Sequence, residues 1–173
     1  LYPTNTLGNE YYSVNYTNIS NTGNSNCWFY VIATDPGSTT VEITPSAAAI
    51  GHPAGVAFSV TLNQGQVYNV MGEYSGSSGS DLSGSRIRSV TNIGSCKKIG
   101  VFSGSGRIAI SCNGSAPSSD NYMSQCMPKA AWGKKYLTTP IVSYSVVNGN
   151  SNSASTNTFY RVCVSDPTTI VRI

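Results

Sequence analysis

Apolar residues alternate with polar ones along much of this chain, and this period of two is the feature that most restricts its fold. The segment "VAFSVTLNQGQVYNV" (residues 56 to 70) places every second residue from Val56 to Leu62 on one face and then turns at Gly65. Such alternation is typical of a strand with one buried face, whereas an amphipathic helix repeats every 3.6 residues. Two runs of this kind around a short glycine turn predict a β-hairpin.

Other segments also have the character of strands. "CWFYVIATD" (27 to 35) is continuously apolar, as in a strand buried on both faces, and "TTVEIT" (39 to 44) follows it after a turn. Later strands are predicted at "TPIVSYSVV" (139 to 147) and "FYRVCVSDP" (159 to 167). No helical pattern exceeds a turn or two, around "SQCMPKAAW" (124 to 132). The chain is therefore predicted to be all-β, an antiparallel β-sandwich, with propeller-type blades as the alternative architecture.

A second hairpin is predicted for "CKKIGVFSGSGRIAISC" (96 to 112), with Gly104 and Gly106 at the bend. A three-residue loop there would place Cys96 opposite Cys112, close enough for a disulfide, although a register shift of one residue would separate them. The other cysteines would supply one more pair and one unpaired thiol: Cys27, Cys126 and Cys163.

Charge is sparse: the 173 residues have a net charge of +3, and only 10% of them are charged. Lysines and arginines are scattered singly and in pairs, which argues against the basic stripe of a nucleic-acid-binding protein. No apolar run approaches the ~20 residues of a membrane-spanning helix. The sequence has no CxxC motif and a single histidine, so neither a metal nor a cofactor is expected.

The compartment is indicated by the cysteines and by the uncharged polar residues. The cysteines are widely spaced, and the polar residues are largely Ser, Thr, Asn and Gly, which together favour an extracellular or cell-surface location. Asn15, Asn18 and Asn113 begin N-glycosylation sequons, but chance matches are expected in a chain of this composition.

Two segments of the chain resemble each other, "YPTNTLGNEYY" (2 to 12) and "MPKAAWGKKYL" (127 to 137). Proline, glycine and tyrosine at these intervals favour a turn leading into a strand. The charged residues differ between the copies, which argues against a chemistry common to both. The coinciding positions are Pro3 with Pro128, Gly8 with Gly133, and Tyr11 with Tyr136.

The resemblance continues downstream. "FYVIATDPGSTTVEI" (29 to 43) recurs as "YRVCVSDPTTIVRI" (160 to 173), and Asp35 and Asp166 both precede proline in predicted turns. The offset between the copies grows from 125 to 131 residues through loop insertion. We therefore predict a first β repeat unit over residues 1–126 and the start of an equivalent unit over 127–173, in a chain cut from a longer repetitive protein.

An ordered series of segments also resembles a known family, the IgGFc-binding-protein N-terminal domain family. The series includes "GSDLSGSRIRSV", "KKIGVFSGSGRIAIS" and "SSDNYMSQCMPKAAWGKKYLTTP", and it covers nearly the whole chain. "DLSGS", "IGVFSGS" and "AWGKKYLTTP" are more similar to bacterial members of the Bacteroidetes type than to animal mucus proteins. The resemblance implies an extracellular, non-catalytic adhesion module of a large surface protein, and it supplies no binding residues.

Catalysis is the least favoured function, because ionisable groups are few. A hydrolase would need His52 as its base, but His52 stands in the small-residue loop "AAAIGHPAGV". A carboxylate pair is conceivable through Asp81 and Asp120, or through either with Glu73. We predict that the protein is not an enzyme.

Recognition is the favoured function. Loops 73 to 85, 113 to 127 and 148 to 158 are rich in Tyr, Ser, Gly and Asn, which make adaptable contacts. The expected ligand is a glycan or a protein surface, with Ca²⁺ also considered. The alternative is a stalk or fibre unit that binds neighbouring copies of itself, and clustering of exposed aromatic side chains in one patch would favour adhesion over a stalk. The candidate ligand-binding residues are Tyr74, Asp81, Asp120 and Tyr122.

Overall fold

The computed structural model describes residues 1–17, 25–75, 78–90, 96–109, 119–138 and 160–171. These residues contain ten strands and two single 3-10 turns, so the all-β prediction is confirmed. The turns cover Thr4–Thr6 and Lys129–Ala131. The strands are β1 (Glu10–Tyr12), β2 (Cys27–Ala33), β3 (Ser38–Thr44), β4 (Phe58–Asn63), β5 (Val67–Met71), β6 (Tyr74–Ser75), β7 (Ser78–Gly79), β8 (Arg86–Val90), β9 (Ile99–Ala109) and β10 (Ser119–Gln125).

Eight of the strands form two antiparallel four-stranded sheets. The first sheet has the order β1-β8-β3-β4 and the second has the order β10-β9-β2-β5, while β6 and β7 form a small separate ladder. Alternate residues of both sheets share one hydrophobic core, which confirms the sandwich and not the propeller alternative. Its fully buried side chains include Tyr11, Val41, Ile43 and Ile87 from the first sheet and Phe29, Val31, Ile99 and Val101 from the second.

The predicted hairpin over residues 56 to 70 is wrong, although both strands and the turn are where the sequence placed them. Strand β4 pairs with β3 in the first sheet, whereas β5 pairs with β2 in the second. The turn at Gly65, with φ of 81°, therefore carries the chain from one sheet to the other. Leu62 and Val70 both point into the core from opposite sheets, and alternation alone does not distinguish this arrangement from a hairpin.

The predicted hairpin over residues 96 to 112 is also wrong, because β9 runs unbroken through the expected bend. It pairs with β2 on one side and β10 on the other. Gly104 is a close-approach glycine: a Cβ built there would overlap the carbonyl oxygen of Tyr122 and lie 2.7 Å from Cζ2 of Trp28. Cys112 lies outside the described residues and Cys96 carries a free, exposed thiol. The Cys96–Cys112 disulfide is therefore not observed and stays a prediction, now without the bend that supported it.

Two further assignments differ from the sequence prediction. Residues 119 to 125, expected within a loop, form the edge strand β10. Residues 160 to 167, expected to be a strand, lie outside the strands of the described structure, and the predicted strand over 139 to 147 lies outside the described residues. The outer face of β2 is only half-buried, so the prediction that both of its faces are buried is also wrong.

The two proline–glycine–tyrosine segments adopt the same local structure. Each has an extended proline before a 3-10 turn, with φ and ψ of −68° and 155° at Pro3 and −64° and 145° at Pro128. The amide of Gly8 donates to the hydroxyl of Tyr11 at 2.8 Å, and the amide of Gly133 donates to that of Tyr136 at 2.7 Å. The shared turn was predicted, but the strand expected after it is found only in the first copy: residues 10–12 form β1, whereas residues 132–138 lie in no strand. The division into units 1–126 and 127–173 stays a prediction.

Candidate functional site

Of the four predicted ligand-binding residues, Asp81 has the most contacts. Its carboxylate accepts hydrogen bonds from the amide and the hydroxyl of Ser83, at 2.9 and 2.7 Å, and forms an ion pair of 2.6 Å with Arg161. Partial burial opposes ionisation, but these hydrogen bonds and the guanidinium outweigh it and hold the pKa of Asp81 below its usual value. A carboxylate held in this form is suited to anchoring a cation, not to donating a proton.

Tyr122 lies in the same neighbourhood, whereas the other two candidates do not join it. The hydroxyl of Tyr122 donates to the carbonyl of Val14 at 2.8 Å, and burial, together with nearby Asp81, raises the pKa of this hydroxyl. Asp120 is exposed and accepts a hydrogen bond only from the amide of Asn121 among its described contacts. Tyr74 is 45% exposed on the β6–β7 ladder. The structure therefore brings together two of the four predicted residues.

A groove of 570 Å³ lies beside Asp81. One wall is formed by Ser13, Val14, Ser83 and Gly84, and the other by Tyr160 to Val164 of the chain itself. Arg161 crosses the groove to Asp81, with its guanidinium carbon 4.4 Å from the centre of the Tyr16 ring. Asp81 does not itself line the groove, and its carboxylate already pairs with Arg161, which does, so these two charges offer little to a charged ligand.

His52, the candidate base, packs against aromatic rings. Its ring stacks on Phe58 with centroids 3.6 Å apart, and Nε2 lies 3.1 Å from the hydroxyl of Tyr68. Within the described residues, no serine hydroxyl or carboxylate is recorded as a hydrogen-bond partner of the His52 ring. A nucleophilic triad would require both, so the geometry gives a catalytic role no support.

The outer face of the second sheet carries a surface that we name the aromatic face. Its positions lie in register across four strands, because Trp28 pairs with Met71 and Gly104, and Tyr30 pairs with Asn69 and Phe102. On β10, Met123 and Gln125 are the outward positions opposite Gly104 and Phe102, and Asp120 lies opposite Ile108 beyond a register shift. The aromatic face consists of Trp28, Tyr30, Ile32, Val67, Asn69, Met71, Gly100, Phe102, Gly104, Met123 and Gln125.

Three rings form the centre of this face. Trp28 and Tyr30 stack with centroids 5.4 Å apart and planes 9° apart, and Tyr30 stacks on Phe102 at 5.1 Å and 18°. The hydroxyl of Tyr30 lies 3.7 Å from Sδ of Met123. Parallel stacking turns the ring faces toward one another and leaves ring edges toward solvent. Val67 and Met123 flank the rings and are 54% and 60% exposed.

The outer face of the first sheet has a different chemistry. Arg86 pairs with Glu10, and Arg88 pairs with Glu42, each at 2.7 Å. Beside these ion pairs, the hydroxyls of Thr40 and Thr61 lie 3.3 Å apart on neighbouring strands. Charged and threonine-rich outer faces are typical of sheets that contact water. The named positions of the aromatic face carry no charge, and Asp120 lies beyond them at the far end of β10, opposite Ile108 on the same side of the sheet. The centres of the two outer faces therefore differ in chemistry.

Sequence reasoning missed the aromatic face because its residues come from four separate segments. The available signal was the alternation of Trp28 and Tyr30 with Phe29 and Val31 in β2. We interpreted the whole run as core, although only the second pair is fully buried. The position of Phe102 opposite Tyr30 depends on the pairing of β9, which the hairpin prediction had placed wrongly.

Comparison with known proteins now adds an independent observation. A family model described as IgGFc binding protein matches residues 1–173. The chain belongs to this family. Comparisons with curated proteins and with solved structures gave no significant match. This family is a family of binding domains, which agrees with a module that presents a recognition surface.

Two further properties concern membranes and metals. In the described part of this chain, no helix has the length and hydropathy of a membrane span. Across the described ranges, no cluster of three or more histidine, cysteine or acidic side chains is arranged to hold a metal ion.

The fold buries the first N-glycosylation sequon, which begins at Asn15. Asn15 is 1% exposed, and its side-chain amide donates to the carbonyls of Trp28 and Gly104, both at 2.8 Å. A side chain in this position is inaccessible for glycosylation in the folded domain. Asn18 and Asn113 lie outside the described residues.

Two cysteines lie in the core beneath the second sheet. The amide of Leu82 donates to Sγ of Cys27 at 3.4 Å, and Sγ of Cys126 lies 3.3 Å from the hydroxyl of Ser103. Burial raises the pKa of Cys126, and it raises that of Cys27 to about 11. Cys27, Cys126 and Cys163 carry free thiols, so the predicted pair among these three is not observed.

The raised pKa of Cys27 predicts a loss of stability in alkali. Its ordinary value is 9.0 and its folded value about 11, so the unfolded chain releases this proton first as pH rises. The stabilisation is therefore complete below pH 9 and is lost between about pH 9 and 11, at a cost of about 3 kcal/mol. Thermal unfolding followed across this range measures it.

The control for this prediction is Cys27→Ser, which keeps an acceptor for the Leu82 amide but does not ionise in this range. Tyr11, whose pKa is also raised, contributes to alkaline unfolding equally in both proteins. The pKa of Tyr122 is raised by burial and in part by Cys27, so the change at Tyr122 is counted as part of the effect of Cys27. The difference between the two pH profiles isolates Cys27. Parallel profiles would contradict the assignment.

Proposed function

We propose that this domain is an extracellular protein-binding module, and that the aromatic face is its binding surface. The observation that carries the proposal is the stacked set Trp28, Tyr30 and Phe102 at the uncharged centre of one outer face, opposite a sheet whose outer face carries ion pairs. Tryptophan, tyrosine and methionine are enriched in protein interfaces, and large uncharged patches are uncommon on surfaces that only contact water.

The ring arrangement favours a protein ligand over a glycan. Sugar rings bind to aromatic side chains by stacking on their faces, but here Tyr30 has ring neighbours on both sides. The exposed ring edges and the thioether of Met123 are suited to packing against apolar side chains. At the margin, Asn69 and Gln125 supply amide groups for hydrogen bonds around an apolar centre.

The test places charge on the aromatic face without disturbing the core. Val67→Glu and Met123→Glu together change two side chains that are already more than half exposed, so the free energy of unfolding is expected to change by less than about 0.5 kcal/mol. Binding of immunoglobulin Fc fragment, the probe that the family description suggests, is expected to weaken at least about tenfold. Surface plasmon resonance on the immobilised domain measures it.

The matched control is Thr40→Glu with Thr61→Glu, which adds the same charge to the outer face of the other sheet. This double variant is expected to bind Fc as wild type does. Fc binding that both pairs of substitutions leave unchanged would refute the aromatic face as the binding surface. Absence of Fc binding by the wild-type domain would refute Fc as the ligand class, and loss of binding on deglycosylation of Fc would favour a glycan.

The family resemblance also suggests a role, a source and a parent protein for this domain. We propose an adhesive role at the cell surface of a bacterium of the Bacteroidetes type, as part of a larger protein, on the basis of the sequence segments given above. Clustering of aromatic side chains supports adhesion over a purely structural stalk. The hydrolase alternative finds no support in the surroundings of His52 or in the exposed position of Asp120.

A further inference from the structure

The two proline–glycine–tyrosine segments pack against each other. We name residues 2 to 12 the first motif and 127 to 137 the second motif. A Cβ built on Gly8 would lie 2.6 Å from Cβ of Pro128, so the proline ring occupies the space above this glycine. Nζ of Lys129 lies 3.3 Å from Glu10, and the rings of Tyr12 and Trp132 have centroids 5.5 Å apart.

Different surfaces of the two motifs make this contact. The first motif uses Gly8, Glu10 and Tyr12, which we name its glycine face. The second motif uses Pro128, Lys129 and Trp132, which we name its proline face. The corresponding proline face of the first motif is Pro3, Thr4 and Leu7, and the corresponding glycine face of the second motif is Gly133, Lys135 and Leu137.

These two remaining faces are accessible. Pro3 and Thr4 are exposed, and Leu137 is 88% exposed. Among the described residues, the nearest neighbours of a Cβ on Gly133 are Tyr136 and Lys135 of its own motif, at 3.6 Å and beyond, and no proline there covers Gly133 as Pro128 covers Gly8. The motifs share the extended proline, the 3-10 turn and the glycine–tyrosine hydrogen bond, so in this part each remaining face resembles a surface that is already in contact within the molecule.

We infer that the proline face of the first motif of one molecule binds the glycine face of the second motif of another copy of this chain. Pro3 of one copy packs on Gly133 of the other. Leu7 packs beside Leu137, and these two positions correspond to Trp132 and Tyr12 in the contact within one molecule. Thr4 lies beside Lys135, so no like charges meet. In this pairing Thr4 and Lys135 take the places of Lys129 and Glu10, so the ion pair is lost. The apolar contacts, proline on glycine and Leu7 beside Leu137, remain.

The contact has a defined geometry of assembly. Its two surfaces are different, so each molecule that binds at one face still presents the other, and the copies join head to tail into rings or open chains larger than a dimer. The surface is much smaller than the ~800 Å² per partner of a stable complex, so the affinity is weak for free molecules. Linked copies would raise the effective concentration of the faces and stabilise the same contact.

The test is sedimentation velocity of the whole chain at concentrations up to about 1 mM, where contacts worth about 4 kcal/mol become populated. The wild-type mass is expected to rise with concentration beyond that of a dimer. Gly133→Val blocks one face and Pro3→Asp blocks the other, and each variant alone is expected to stay monomeric. A mixture of the two variants is expected to form one-to-one pairs and nothing larger, because each retains one intact face.

Control variants separate this contact from others. Ile170→Ser removes an apolar side chain that is 78% exposed elsewhere, and it is expected to leave association unchanged. Leu137→Asp is an independent block of the glycine face, and the melting temperature of each variant reports that it is folded. A wild-type chain that stays monomeric, association that Gly133→Val does not weaken, or growth that stops at dimers would each overturn the inference. Loss of association in the Val67→Glu, Met123→Glu variant would assign the contact to the aromatic face instead.

Discussion

Replacing Gly104 by alanine is expected to destabilise the domain by about 3 kcal/mol or more. The new Cβ would overlap the carbonyl oxygen of Tyr122 in β10 and approach Cζ2 of Trp28 to 2.7 Å. The first neighbour is backbone of a paired strand, so relief requires β10 to move or the Trp28 ring to leave its stack with Tyr30. Urea unfolding gives the free energy, and the emission maximum of the tryptophans reports the ring movement.

The matched control lies four residues away on the same face of the same strand. A Cβ on Gly100 would meet only the methyl group of Thr34, at 3.9 Å. Gly100→Ala is therefore expected to be neutral or to stabilise by up to about 0.5 kcal/mol, because alanine restricts the unfolded chain more than glycine does. Equal unfolding free energies for the two variants would mean that Trp28 does not lie over Gly104.

The comparison of these glycines also explains where sequence reasoning failed. A glycine in an alternating pattern indicates either a bend or a close approach by another group, and the sequence carries no sign of which. We predicted a bend at Gly104, whereas the structure places the Trp28 ring there. The ring belongs to β2, far away along the chain, so only knowledge of strand pairing could have separated the two interpretations.

The strands themselves were more accessible to prediction than their partners. Alternation located β3, β4 and β5, and the apolar run located β2, because burial of one face is a property that each strand carries in its own residues. Pairing is a property of two strands, and both predicted hairpins were wrong because neighbours in sequence here lie in different sheets or in one continuous strand. The aromatic face depends on pairing, so it was missed together with the pairing.

The predicted site shows the same limit. Asp81 and Tyr122 were chosen from loop composition, and the fold brings them into one neighbourhood through Val14 and Arg161, neither of which was a candidate. Tyr74 and Asp120 had similar sequence surroundings but lie elsewhere. Loop composition indicates exposure and adaptable chemistry, while convergence in space is decided by the core beneath the loops.

Tyr11→Phe is expected to destabilise the domain by about 2–3 kcal/mol, although only one oxygen atom is removed. The hydroxyl of Tyr11 accepts a hydrogen bond from the amide of Gly8 and donates one to the carbonyl of Ile99, both at 2.8 Å. Tyr11 is fully buried, so phenylalanine would leave the buried carbonyl of Ile99 without this donor and the partly buried amide of Gly8 without its acceptor. Thermal or urea unfolding measures the loss.

The second motif supplies the control within the same molecule. Tyr136→Phe removes the equivalent hydrogen bond from Gly133, at 2.7 Å, but Tyr136 is 70% exposed, so water replaces the lost oxygen and a change below about 0.5 kcal/mol is expected. The local hydrogen bond is common to both motifs, and the contact with Ile99 and the burial belong to the first alone. The difference in unfolding free energy between the two variants therefore measures how much the burial of Tyr11 and its hydrogen bond to Ile99 add to the local hydrogen bond of the turn. A cost at Tyr136 equal to that at Tyr11 would mean that the turn itself, not the sheet behind it, supplies the stability.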